Sequence, residues 1–289
     1  MKYVLAISGG VDSVVLLDMA VNGLLPDITR DNSVVAHFDH GIRPDSSVDA
    51  SFTKKLAKKY GLEFYSAKGN LGAQASENLA REKRYEFLNK KVAQTIAPDG
   101  KVKIVTAHHQ DDLIETILIN LIRGTGWRGL APFWSEMTLR PLIDLTKSDI
   151  VKYANENNLE WVEDETNFSN KYFRNRVRNV SAQMTNAERQ QLLKIYKKQF
   201  KLRADIEKNL DETEQIPKIS DLILLSKVSD KLALEVLGKL TSGKLTNPQL
   251  KRLLDSLKTA KSGDIIQPGG SIQIGIYKGE ISISELGVL

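Results

Sequence analysis

Four short apolar runs, rich in β-branched residues, punctuate the first hundred or so positions: Tyr3–Ile7, Ser33–Phe38, Leu62–Ala67 and Val102–Ala107. They lack the strict polar alternation of a half-exposed strand, so the pattern predicts strands buried on both faces, as in a parallel sheet. Helical spacing fills the gaps. Ser46 or Ser47 caps a helix running to about Tyr60, Ser76 caps one to about Ile96, and Asp111 or Asp112 opens one ending near Arg123. A fourth begins at Thr146 with Asp149 three residues on, the spacing of a capping box. The alternation βαβαβαβα requires right-handed crossovers, which gives an α/β fold with a doubly wound parallel sheet. Ligands of such sheets sit at the carboxyl ends of the strands.

The period changes further along. Leu193, Tyr196 and Phe200 share one helical face, and Leu250, Leu253, Leu254 and Leu257 share another behind Thr246, Asn247 and Pro248. Ile272, Ile274 and Ile276 alternate, Lys278-Gly279 makes a tight turn, and Ile281 and Ile283 resume the alternation, which reads as a hairpin. The expected organisation is an α/β domain over 1–183 and a mainly helical accessory domain over 184–289 that ends in the hairpin, a smaller α+β unit.

Composition narrows the chemistry. In 289 residues there is no cysteine, which removes disulfides, thiolate metal sites and every mechanism that needs a cysteine nucleophile. No apolar run approaches the length of a membrane span and the start of the chain has no signal-peptide pattern, so a cytoplasmic protein is expected. The net charge of +5 is small, but residues 168–208 hold eleven Lys and Arg against three acidic residues. Within that segment Arg174, Arg176 and Arg178 beside Tyr172 and Phe173 suit phosphate contact and base stacking; a solvated helix surface is the plainer alternative.

The first strand ends in Ser8-Gly9-Gly10-Val11-Asp12-Ser13 and a helical pattern follows at once. Two glycines permit close backbone approach to a ligand, and a helix N-terminus offers unpaired N–H groups to an anion such as pyrophosphate. No lysine follows the glycines, so this is not the Gly-x-x-x-x-Gly-Lys-Ser/Thr phosphate loop. All four histidines lie in two segments, His37–Arg43 and Thr106–Thr116, each behind a predicted strand, which places them at one site. Gly124-Thr125-Gly126-Trp127-Arg128-Gly129 spells a dinucleotide fingerprint, but it follows a helix, and it is read as a mobile loop near the site.

Ser8 to Ser13 resembles the pyrophosphate loop of the N-type ATP pyrophosphatases. Glu77–Tyr85, Leu121–Gly126, Arg140-Pro141-Leu142, Asp164–Asn167 and Arg174-Asn175, with the two histidine segments, together resemble the bacterial tRNA(Ile)-lysidine synthetase family over about residues 1 to 180. Many members of that family continue into a further C-terminal domain that has no counterpart in these residues. The resemblance implies a ligase with ATP and Mg²⁺ as cofactors and with L-lysine and an isoleucine tRNA of CAU anticodon as partners, with no DNA and no membrane. ATP adenylates the carbonyl oxygen of the wobble cytidine, and the lysine amine then displaces AMP to leave lysidine. It also implies site residues. Ser8, Gly9, Gly10, Val11, Asp12, Ser13, His37 and Phe38 face the nucleotide, and Asp12 and Asp111 are candidates for the metal. Arg81 and Arg84 grip the α phosphate or the tRNA backbone, Asp39, Asp112 and Glu115 form the acidic lysine pocket, and His108 has a catalytic part. The plainer reading of Asp112 is a helix N-cap.

Three other readings stay open. A tRNA thiolase of the same superfamily adenylates a base but then needs sulfur chemistry for which this chain has no cysteine. A metal-dependent phosphoesterase would use His37, Asp39, His108, His109 and Asp111 as ligands. A nucleotide- or RNA-binding module without catalysis is the third. The oligomeric state, homodimer included, is open.

Overall fold

The computed structural model describes residues 1–41, 46–69, 71–72, 77–163, 173–212, 228–241, 243–269 and 272–285. The chain divides into two compact units, the first formed by Met1–Ile119 with Pro132–Leu193 and the second by Asn120–Ala131 with Lys194–Leu289.

In the first unit, β1 (Lys2–Ala6), α1 (Val11–Val21), β2 (Ser33–Asp39), α2 (Ser46–Lys59) and β3 (Phe64–Lys68) are followed by α3, which starts at Glu77–Glu86, passes through a π-helical stretch at Phe87–Ala93 and ends at Gln94–Ile96. Then come β4 (Val102–Val105), α4 (Gln110–Ile122, of which 120–122 count to the second unit), β5 (Thr138–Leu139), α5 (Lys147–Glu156), α6 (Phe173–Ala182) and α7 (Asn186–Glu212), which counts to the second unit from Lys194 on. The five strands are parallel in the order β3-β2-β1-β4-β5. The order reverses at β1, so the crevice at the carboxyl ends of β1 and β4 is the switch point where such folds bind ligands.

Period-two burial explains the sheet. Tyr3, Leu5 and Ile7 pack into one core with Val15, Leu16, Leu17, Leu142 and Ile150. Val4 points the other way, into a second core with Val34, Ala36, Phe87, Leu88 and Ile104. With apolar side chains on both faces, the strand reads as a continuous hydrophobic run. Asp18, on α1, is buried in the first core's helix layer and accepts hydrogen bonds from Tyr60 Oη (2.6 Å) and Tyr153 Oη (2.8 Å), which satisfy its charge.

The boundaries differ from expectation at two instructive places. The helix at 110 opens one residue earlier than the two aspartates: His109 precedes its first turn, and Asp112, at the third helical position, accepts the His109 N–H at 3.1 Å. Asp112 is therefore not the N-cap; it makes the returning half of a capping arrangement. Strand β5 went unpredicted because two residues carry no periodic signal; it exists because Ile104 and Thr106 donate N–H bonds to Met137 and Leu139 carbonyls. Thr146 caps α5 as expected, with Asp149 completing a capping box. Ser76 lies outside the described residues, as do the side chains of Ser46 and Ser47.

In the second unit, α8 (Asp230–Leu240) and α9 (Asn247–Thr259) pack on an antiparallel sheet of β6 (Ile265–Gly269), β7 (Ile272–Tyr277) and β8 (Glu280–Glu285), ordered β6-β7-β8. The expected leucines Leu250, Leu253, Leu254 and Leu257 meet Ile272, Ile274, Ile276 and Ile281 in its core. The hairpin turn has positive φ at both Lys278 (50°) and Gly279 (84°), the twist that matches two right-handed strands. Strand β6 escaped the sequence reading because Pro268 and Gly269 interrupt it, which an edge strand tolerates. The Gly124–Gly129 loop, expected to be mobile, is tied down within this unit. Trp127 Nε1 donates to Glu235 at 2.7 Å, and Arg128 spans Glu235 (2.6 Å) and the buried Glu207 (2.6 Å).

Candidate active site

The loop between β1 and α1 is built on Ser13. Its hydroxyl accepts the N–H groups of Ser8 (3.2 Å) and Gly9 (3.1 Å) and donates to the Gly10 carbonyl (2.8 Å), closing the turn on itself. Gly9 has φ +99°, a conformation that other residues reach only with strain. Because the Gly9 N–H is used inside the turn, the amides left for an anion are those at the helix start. Val11 and Asp12 have no acceptor for their N–H groups among the described residues, and Gly10, the N-cap residue, brings no side chain to cover them.

One turn of α4 supplies the facing wall. His109 stands 3.9 Å from Asp12, 3.8 Å from Asp111 and 3.4 Å from Asp112, so the two predicted metal candidates and Asp112 gather about one imidazole. Asp111 is held by the Lys147 N–H and Arg189 Nη1, both at 2.7 Å. Burial works against its charge, but these two donors prevail and its carboxyl lies below the usual range. Burial dominates at Asp112 and pushes its carboxyl up, against the pull of His109 and Arg174. Among the described residues no three His, Asp or Glu side chains are gathered as a metal cage. Mg²⁺ does not need one: it keeps its waters and takes one or two carboxylates together with phosphate oxygens, and Asp12 and Asp111 fit that use.

The second cluster surrounds His108. Its Nδ1 pairs with Thr106 Oγ1 at 2.8 Å and its ring lies 4.8 Å from Phe133. Burial, then the charges of Arg140, Arg84, Arg81 and Arg174, drive its pKa well below the ordinary 6.5 and favour the neutral ring. Arg81 and Arg84 both lie over the Tyr85 ring, at 5.0 and 5.6 Å. Because the folded state holds the neutral form, its stability is complete above 6.5 and falls as pH drops below that value. A denaturant midpoint that declines from pH 7 to pH 5, with a shallower decline in His108→Gln, is the expected result.

The structure gives the other predicted residues the following partners. His37 is buried, and its Nδ1 bonds to the Ile7 carbonyl at 2.9 Å, bracing the strand end from which the glycine loop leaves. Phe38 packs edge-on against His40 (5.0 Å) and against Phe87 (5.7 Å). Asp39 is buried and accepts the Gly41 N–H at 2.8 Å. Glu115, 2% exposed, is engaged by Arg178 (2.7 Å) and Arg174 (3.3 Å). Of the arginines read as suited to phosphate contact, Arg174 and Arg178, four apart on one helical face, turn to Glu115, while Arg176 is exposed. Arg43, Tyr172 and Asp164–Asn167 lie outside the described residues. Sequence reasoning missed Lys147, Arg189 and the part played by Arg140; the Thr146-Lys147 helix start was the one local signal for the first.

The PP-loop domain family matches residues 1–184. The chain belongs to that family. It is 36% identical over 181 residues to a tRNA(Ile)-lysidine synthase of Thermotoga maritima, covering 60% of this chain and 42% of that protein. It is 37% identical over 202 residues to a tRNA(Ile)-lysidine synthase of Lactobacillus johnsonii, covering 67% and 46%. The chain thus spans less than half the length of these curated relatives. Among solved structures, the U34-tRNA thiolase NcsA of Methanococcus maripaludis shares the fold, with a TM-score of 0.53 at 17% identity over 70% of this chain and 72% of that one. No described helix of the PP-loop chain is long and apolar enough to cross a membrane.

Proposed function

We propose that this chain uses ATP to adenylate the wobble cytidine of an isoleucine tRNA with CAU anticodon and then joins free L-lysine to it, releasing AMP and pyrophosphate. The observation that carries the reading is the placement, at one switch point, of helix-start amides at Val11 and Asp12 that have no acceptor among the described residues and of His108, held by Thr106 in surroundings made positive by Arg140, Arg84, Arg81 and Arg174. The first half suits the β and γ phosphates, and the second suits an α phosphate or an RNA backbone. Mg²⁺ at Asp12 and Asp111 would neutralise charge on the departing pyrophosphate. The tRNA and lysine enter from the names of the two relatives above.

The lysine side of the site is assigned to Asp112 and Asp39. Glu115 keeps a different task, since two arginines already balance it: it positions Arg174 and Arg178. The second unit is assigned tRNA contacts, through the exposed Lys194, Lys197, Lys198 and Lys201 on α7. A phosphoesterase is disfavoured, because no described group of three ligands exists and the Nδ1 atoms of His37 and His108 are engaged by Ile7 and Thr106.

Incubation with ATP, lysine and total tRNA tests the proposal. AMP, pyrophosphate and a lysine-bearing nucleoside are expected in equal amounts, with only pyrophosphate and adenylated tRNA formed when lysine is withheld in a single turnover. Product without lysine in the nucleoside would refute it.

A further inference from the structure

The glycine loop contains no cationic side chain, yet the structure brings one to it from a distant part of the chain. Lys147 Nζ lies 2.5 Å from Asp12 Oδ1, at the start of α1, whose first amides have no acceptor among the described residues. Lys147 is the first residue of α5, and its position is fixed from behind: its N–H donates to Asp111, which Arg189 holds in turn. The side chain is 45% exposed and Asp12 is its acceptor among the described residues. An ion pair this exposed contributes little to stability, so its geometry is not needed for the fold. It places a held ammonium within reach of whatever occupies the helix start.

We infer that Lys147 is a pyrophosphate-binding residue, docked on Asp12 until the β and γ phosphates of the nucleotide take its place. This rests on the reading that ATP is cleaved between the α and β phosphates. In that step a substrate oxygen forms a bond to the α phosphorus, the bond from that phosphorus to the bridging oxygen breaks, and its electron pair stays with pyrophosphate. Pyrophosphate gains one negative charge, and the Lys147 ammonium meets it; Asp12, released from the ion pair, would then be open to a metal ion. A lysine placed on another helix does the work that a lysine within the loop does in the Gly-x-x-x-x-Gly-Lys pattern.

Calorimetric titration of the full chain with inorganic pyrophosphate and, separately, AMP tests this. Lys147→Met should weaken pyrophosphate binding about ten- to a hundredfold, the range of one charge-assisted contact, and leave AMP within about twofold. Lys147→Arg should recover most of the loss. Asp12→Asn, which frees the ammonium, should tighten pyrophosphate binding when Mg²⁺ is absent. Unchanged pyrophosphate affinity in Lys147→Met, or equal weakening of AMP, would overturn the inference, and an unchanged Mg²⁺-free affinity in Asp12→Asn would overturn the docking on Asp12. These affinities involve neither tRNA nor lysine, so a failure of the ligation reading leaves them standing.

Discussion

Replacing both Arg174 and Arg178 by methionine is expected to destabilise the first unit by about 3–5 kcal/mol, the usual cost of stranding a buried charge. Glu115 is 2% exposed, while the two arginine side chains are 31% and 41% exposed. The asymmetry decides which partner matters. Without its arginines the carboxylate has no solvent to turn to, whereas without the carboxylate the arginines swing outward. Glu115→Gln alone should therefore cost only about 1–2 kcal/mol, and adding it to the double variant should restore part of the loss. Chemical denaturation of the four proteins checks this. If Glu115→Gln proves the more damaging change, Glu115 acts on something other than these arginines.

Asp12→Ala is expected to slow AMP formation about a hundredfold or more, the scale of losing one preorganised charge contact at a reacting phosphate. It should cost less than about 1 kcal/mol of stability, because the Asp12 side chain is 31% exposed and its pairing with Lys147 is a surface one. Separation of the nucleotides from a single turnover gives the rate and the identity of the product together. ADP in place of AMP would show that the loop holds the wrong phosphates for the mechanism proposed.

The sequence by itself determined the layered α/β architecture and the glycine turn at the end of its first strand. Burial on both faces made β1 a continuous apolar run, helix spacing and caps such as Thr146 were local, and the glycine turn from Ser8 to Ser13 was written in consecutive residues. These signals survive in sequence because they arise from backbone geometry and solvent exclusion over one or two turns of chain. Only the tertiary structure decided which charges meet. Lys147 reaches Asp12 across 135 positions, Arg178 reaches Glu115 across 63, and Tyr153 reaches Asp18 across 135. No periodicity encodes such pairs: a carboxylate looks the same in sequence whether it faces solvent, a metal or two guanidinium groups. Its partner is chosen by strand order and helix packing, which bring Lys147 at the start of α5 and Asp12 on α1 together at the carboxyl ends of the parallel strands. Glu115 read as a ligand for lysine in the sequence, and only the packed helices show two guanidinium groups set against it.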